Sequence, residues 1–131
     1  LHTLDVILPI FMEKNSGHLV FAGSLVGYRG LPGALGYGSS KAAIVNLSET
    51  LRFDLKDTGI KVQLINPGYV KTRLTDKNNF KMPQIMSPEV AADKMFSNMN
   101  KNNFSSSFPA PFSWLFRVSQ LLPESIYFKL F

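Results

Sequence analysis

No cysteine occurs anywhere in the 131 residues. That excludes disulfide staples and thiolate metal sites, and it fits a reducing, cytoplasmic compartment. Histidine is nearly as scarce. His2 and His18 stand well apart, and no carboxylate or cysteine completes a ligand set around either, so no metal is expected. No apolar run approaches the length of a membrane span. A basic-then-apolar leader pattern is missing too, and the sequence opens at Leu1, where LHTLDVILPI already reads as a helix under way. Acidic residues are outnumbered, 9 against 14 Lys and Arg, for a net charge of +5. Such a balance suits nucleic acid, a membrane surface or a phosphorylated cofactor. The cations are scattered and form no block, so they read as a solvated face and no nucleic-acid partner is expected.

What is present alternates. GHLVFAG (residues 17–23) is a short apolar run entered from Asn15-Ser16-Gly17, the mark of a buried parallel strand. Glycine-rich loop follows over 24–36. A helix is predicted from Tyr37 to Lys56, with Ala42, Ala43, Val45, Leu47, Leu51 and Leu55 on its packing faces, ended by Asp57-Thr58-Gly59 with Gly59 as a left-handed cap. Residues 61–65 read as a second strand, stopped by Asn66-Pro67-Gly68. Beyond an irregular polar stretch (69–86), Ser87-Pro88-Glu89 starts a helix running to about Met99. A weak strand near 103–108 ends at Pro109 and Pro111, and an aromatic tail from Phe112 to Phe131 is predicted as two short helices broken at Pro123. The order implies an α/β fold: a parallel sheet with right-handed crossovers and helices on both faces. No repeat or linker divides the chain, so residues 1–131 are read as one partial domain.

The chemistry gathers at strand ends. Tyr37 and Lys41 lie four residues apart at a helix start, hence on one face. A tyrosine has a reference pKa of about 10 and is a poor base at neutral pH, but a neighbouring ammonium favours the phenolate. Tyr37 is thereby a candidate general acid/base for an alcohol–ketone pair. Ser24 ends the first strand, thirteen residues before Tyr37. It could orient a substrate oxygen, or serve only as a turn serine satisfying local backbone. Asn66-Pro67-Gly68-Tyr69-Val70-Lys71-Thr72 follows the second strand, so it belongs to the same sheet edge. Lys71 and Arg73 flank that turn, as phosphate attractors or as plain surface.

Taken together, Ser24, the step to Tyr37, the Tyr-x-x-x-Lys helix start and the Pro-Gly-x-x-x-Thr turn resemble the short-chain dehydrogenase/reductase family. The likeness is strong over about 1–75 and looser over 87–131. It implies the C-terminal portion of a doubly wound, Rossmann-type sheet and an NAD- or NADP-dependent oxidoreductase interconverting a secondary alcohol and a ketone. Tyr37 would be the proton donor or acceptor. Lys41 would lower the tyrosine pKa and hold the nicotinamide ribose, while Ser24 would polarise the substrate oxygen. Pro67, Gly68 and Val70 would pack along the nicotinamide, and Thr72 would bond its carboxamide or a phosphate. Residues 73–86 would form a substrate lid, and the helix beginning at Tyr37 would join a homo-oligomer interface. The family's glycine-rich phosphate loop, its Asn-Ala-Gly strand end, its catalytic asparagine and the residue that selects NAD or NADP would all precede Leu1. The chain by itself is therefore expected to bind cofactor poorly and not to turn over. Gly23 stands where the family often has another serine.

Two further expectations concern the tail and the substrate. Phe112, Trp114, Leu115, Phe116, Val118, Leu121 and Leu122 are read as closing a pocket or a subunit interface, in preference to a peripheral membrane contact. Phe80, Met82 and Met86 in the lid point to an apolar substrate. The alternative to an enzyme is a catalytically silent family member acting as a binding or scaffolding subunit.

Overall fold

The computed structural model describes residues 2–73, 75–77 and 79–130. The Leu1 and Phe131 ends of the helix and tail readings, and positions 74 and 78 of the expected lid, lie outside it. The helices are α1 (His2–Lys14), α2 (Leu35–Asp54), α3 (Pro88–Met99), α4 (Phe112–Ser119) and α5 (Glu124–Leu130). The strands are β1 (Gly17–Ala22), β2 (Ile60–Pro67) and β3 (Ser105–Phe108), with short 3-10 turns at Leu25–Gly27 and Thr75–Lys77.

The strands form one parallel sheet in the order β1-β2-β3. Its centre is β2, which is why Ile60, Val62, Leu64 and Ile65 are all buried rather than alternating with exposed residues. Opposite faces of the strands feed two cores. On one face Leu19, Ile60 and Val62 pack with Leu51 of α2, with Leu55 just past its end, and with Leu4, Ile7, Leu8 and Phe11 of α1. On the other, Ile65 and Phe108 pack with Met86, Ala91, Met95 and Met99, placing α3 there. This is the two-faced α/β layering that the alternation of elements implies. The polar strand β3, Ser-Ser-Ser-Phe, has little strand propensity of its own and is held by its pairing of Leu64↔Ser105 through Pro67↔Phe108.

Gln63 is a buried amide in the middle of β2. Its Oε1 shares a 2.8 Å hydrogen bond with His18 Nε2, and its Nε2 donates to the carbonyls of Lys101 (2.7 Å) and Asn103 (3.0 Å). One side chain thus satisfies itself and ties the α3–β3 connection to the sheet.

Two boundaries differ from the sequence reading. Helix α2 begins at Leu35 and ends at Asp54, where the Leu55 amide still reaches the Leu51 carbonyl. Gly59 is not its left-handed cap, since Gly33 alone among the described glycines has a positive φ. Gly59 is small for another reason: a Cβ there would lie 2.0 Å from the Asn15 carbonyl oxygen. The left-handed cap belongs to α1 instead. Asn15 (φ 45°) closes it, with Asn15 N–H donating to Met12 O and Ser16 N–H to Phe11 O.

At the start of α3 the sequence signal is met in full. Ser87 Oγ accepts from the Val90 amide at 3.3 Å, with Pro88 in the first turn. Ser87→Ala is expected to destabilise the protein by about 1 kcal/mol in urea unfolding, with Ser87→Asp retaining most of that stability. Equal losses from both would show that the cap contributes nothing. No helix among the described residues is long and apolar enough to cross a membrane.

Candidate active site

Parallel strands bring their C-terminal ends to one edge of the sheet, and the candidate residues lie along it. Ser24 follows β1 in extended backbone (φ −167°, ψ 157°) and is buried. Its Oγ accepts from the Val26 amide at 3.4 Å, which caps the 3-10 turn Leu25–Gly27. This is the local turn role, and it leaves the hydroxyl proton without an acceptor among the described residues.

Tyr37 stands in the first turn of α2, 58% exposed. Lys41, one turn on, carries its Nζ 5.6 Å from the Tyr37 ring centroid and donates to the Ala22 carbonyl at 3.0 Å. The lysine therefore spans from the helix to the last residue of β1, two positions before Ser24. The approach of turn and helix is close. A Cβ on Gly27 would lie 2.9 Å from the Lys41 carbonyl oxygen.

After β2, Gly68 donates to the Phe108 carbonyl at 2.7 Å. Leu25, Phe108 and Pro109 close in on it so tightly that a Cβ would sit 3.1 Å from Pro109 Cδ. Residues 69–71 then pair with Met86: Met86 N–H donates to Tyr69 O and Lys71 N–H to Met86 O, both at 2.9 Å. That bridge leaves the Val70 amide without an acceptor among the described residues and pinches the base of the loop expected to be a lid. Thr72 engages Thr75, whose hydroxyl also donates to the Val70 carbonyl at 3.0 Å. Of the predicted set, then, Lys41 lies near the Tyr37 ring and is tied to the strand that leads to Ser24, while Pro67, Gly68, Val70 and Thr72 lie at and beyond the end of β2.

Sequence reasoning missed several residues of this edge. Asn66 is fully buried, donating from Nδ2 to the Tyr28 hydroxyl (3.0 Å), which shares a 2.6 Å bond with Ser107. Burial alone raises the Tyr28 pKa, but the hydrogen bond with Ser107 and the neighbouring Ser105 hydroxyl and Arg117 charge hold the phenol below its ordinary value. Asn66 Oδ1 has no hydrogen-bond partner among the described residues. It occupies the space beside Gly23, where a Cβ would fall only 2.0 Å away. The glycine at 23, in place of a serine, thus has a steric reason. Tyr69, whose pKa burial raises, stacks between Phe80 (6.0 Å) and Phe112 (5.7 Å), with Phe116 edge-on to Phe112 at 5.1 Å. This aromatic series brings residues 69, 80, 112 and 116 together. The tail's other apolar residues, Trp114, Leu115, Val118 and Leu121, face outward. Among the described residues no His, Asp or Glu side chains gather into a metal-binding cluster.

Comparison with known proteins bears on what this edge is. A family profile described as short chain dehydrogenase matches residues 1–83. An uncharacterized oxidoreductase of Myxococcus xanthus is 39% identical over 125 residues, covering 95% of this chain and 49% of that protein. The uncharacterized oxidoreductase YbbO of Escherichia coli is 40% identical over 73 residues, 56% of this chain and 27% of its own length. Among solved structures, serine dehydrogenase from Escherichia coli superposes with a TM-score of 0.66 at 26% identity, over 80% of this chain and 45% of that one. A short chain dehydrogenase from Burkholderia cenocepacia in complex with NADP reaches 0.79 at 18% identity, over 94% and 51%, a likeness of fold alone. The chain thus spans about half the length of the Myxococcus relative it matches almost throughout. With that profile over residues 1–83 and that relative over 95% of its length, the chain belongs to the short-chain dehydrogenase family.

Proposed function

We propose that this chain is the catalytic half of an NAD- or NADP-dependent oxidoreductase that interconverts a secondary alcohol and a ketone, with Tyr37 as general acid/base. One observation carries the reading. The Lys41 ammonium anchors to the Ala22 carbonyl while lying 5.6 Å from the Tyr37 ring, so positive charge is fixed beside the phenol at the strand end bearing Ser24. A silent scaffold has no use for that charge there.

The donors suit a nicotinamide nucleotide. An ammonium has three N–H bonds, and Lys41 commits one to Ala22, so others remain for ribose hydroxyls. The Val70 amide, spared by the Met86 bridge, and the Thr72 hydroxyl suit a carboxamide, and Pro67 and Gly68 would form the floor beneath the ring. The nicotinamide, when bound, supplies or accepts the hydride. Ser24 donates its free hydroxyl proton to the substrate oxygen and holds it. Tyr37 gives a proton to that oxygen in reduction and takes one in oxidation. Tyr69, Phe80 and Phe112 give the site an apolar wall, which supports an apolar substrate. The outward Val6, Ile10 and Met12 of α1 and Leu35 and Phe53 of α2 support a homo-oligomer.

The test is ketone-dependent consumption of NADH or NADPH by the full gene product, followed by nicotinamide absorbance over a panel from small to steroid-sized ketones. Turnover with at least one ketone is expected. Nucleotide binding without turnover across the whole panel would establish the silent subunit instead. The 131-residue chain alone serves as a control and is expected neither to turn over nor to bind nucleotide at micromolar concentration.

A further inference from the structure

The loop between Ser24 and α2 is held from within by short turns, Gly27 N–H to Ser24 O at 3.0 Å, Tyr28 N–H to Leu25 O and Ala34 N–H to Leu31 O both at 3.2 Å. It contains Gly30 and Gly33, neither with a packing neighbour within 4 Å of where its Cβ would be, and Gly33 sits at φ 72°. Yet three consecutive residues of this loop are each gripped by the C-terminal tail. Gln120 Nε2 donates to the Tyr28 carbonyl at 3.3 Å. Arg29 Nη1 donates to the carbonyls of Ser119 and Leu122, the latter at 2.8 Å. Tyr127 donates its hydroxyl proton to the Gly30 carbonyl at 2.5 Å. The Arg29 guanidinium also lies over the Tyr127 ring, its Cζ 3.9 Å from the centroid.

The dependence runs both ways. Helix α5 has only seven residues, too few to be stable on propensity alone. Tyr127 is its one buried residue among those described, so the arginine–tyrosine stack is its anchor. Arg29 in turn braces the end of α4: Ser119 is the last residue of that helix, its carbonyl also accepts the Leu122 amide at 3.2 Å, and Leu122 lies three residues beyond. A cation there is favoured by the helix dipole as well. The job needs arginine. Both carbonyl bonds leave one nitrogen, Nη1, so the rest of the planar guanidinium is left to cover the aromatic ring, a face that a lysine ammonium lacks.

We propose that the tail, residues 112–130, is a strut for the loop carrying Ser24 and Tyr37, and that Arg29 is the positioning residue that couples them. The effect on catalysis rests on the oxidoreductase reading above; the mechanical coupling does not. Arg29 touches neither the reacting atoms nor the expected nucleotide contacts. Its removal should loosen the register between the Ser24 hydroxyl and the Tyr37 phenol and leave nucleotide affinity alone.

The experiment compares Arg29→Met, Arg29→Lys and Tyr127→Phe in the full gene product by hydrogen exchange and steady-state kinetics. Arg29→Met is expected to speed amide exchange about tenfold or more in both 25–36 and 112–130. It should lower kcat about 10- to 100-fold, the scale on which small misplacements of reacting groups are felt, with the nucleotide Kd within about twofold. Arg29→Lys should recover only part of either loss, and Tyr127→Phe should fall between wild type and Arg29→Met. If Arg29→Met does not fold, Tyr127→Phe carries the same readouts. Unchanged exchange over 25–36 overturns the strut, and faster exchange with unchanged kcat overturns the positioning role. A wild-type protein without turnover, but with exchange coupled as described, sinks the oxidoreductase reading and leaves the strut standing.

Discussion

Tyr37→Phe is expected to lower kcat of the full gene product by about a thousandfold or more while leaving nucleotide affinity within about twofold. The substitution removes one oxygen and keeps the ring. The ring is what lies beside the Lys41 ammonium, at 5.6 Å, so the cation–ring contact and the lysine's bond to Ala22 should both survive. Tyr37 is 58% exposed, so loss of its hydroxyl strands no buried partner and should not cost stability. A fall in turnover then reads directly on proton transfer. Ser24→Ala is the informative contrast. Its Oγ accepts only a long 3.4 Å bond from Val26, so that variant too should fold, with a smaller rate loss because a positioning donor is removed rather than the proton carrier. Tyr37→Phe with a kcat within tenfold of wild type would end the acid/base assignment, whatever substrate was found.

How much of this was legible in the sequence depends on the range of the interaction. Tyr37 and Lys41 share a helix face, and spacing alone places them together. Ser87-Pro88-Glu89 announces α3 because capping acts over three or four residues. The parallel sheet follows from apolar runs separated by helices, and even the weak strand β3 fell where Pro109 ends it. What the sequence hid is what depends on contact between distant residues. Gly59 reads as a helix cap because cap glycines are local and common, but its real constraint is the carbonyl of Asn15. The 3-10 turn after Ser24 forms because its hydroxyl caps the chain and Gly27 lies against α2, neither of which leaves a period. Arg29 and Tyr127 look like ordinary surface residues until the fold brings the tail across the loop. Asn66 could be read only as a strand-ending polar residue, because its burial comes from Tyr28 and Gly23 on other segments.

That last pair carries the strongest prediction about stability. Gly23→Ala would put a methyl 2.0 Å from Asn66 Oδ1 and 3.0 Å from Leu64 Cδ1. Asn66 has nowhere to retreat: it is fully buried, and its Nδ2 is committed to the Tyr28 hydroxyl, which is committed in turn to Ser107. Relief must come from shifting β1 against β2, where the Gly23 amide bonds the Ile65 carbonyl at 2.9 Å, or from expelling the amide and losing the Tyr28 bond. Overpacking of this kind costs about 1–3 kcal/mol, and a lost buried hydrogen bond about 1 kcal/mol more. Gly23→Ala should therefore lower Tm by on the order of 10 °C. Asn66→Ala alone should also destabilise, because it leaves a hole and takes a partner from Tyr28. Combined, the two should cost less than their sum, by at least about 1 kcal/mol, since the new methyl enters the space the amide vacates. Serine at 23 brings the same Cβ and should be no better tolerated. A double-mutant cycle in urea decides the matter: losses that simply add, within about 0.5 kcal/mol, would mean that Gly23 is glycine for some reason other than the side chain of Asn66.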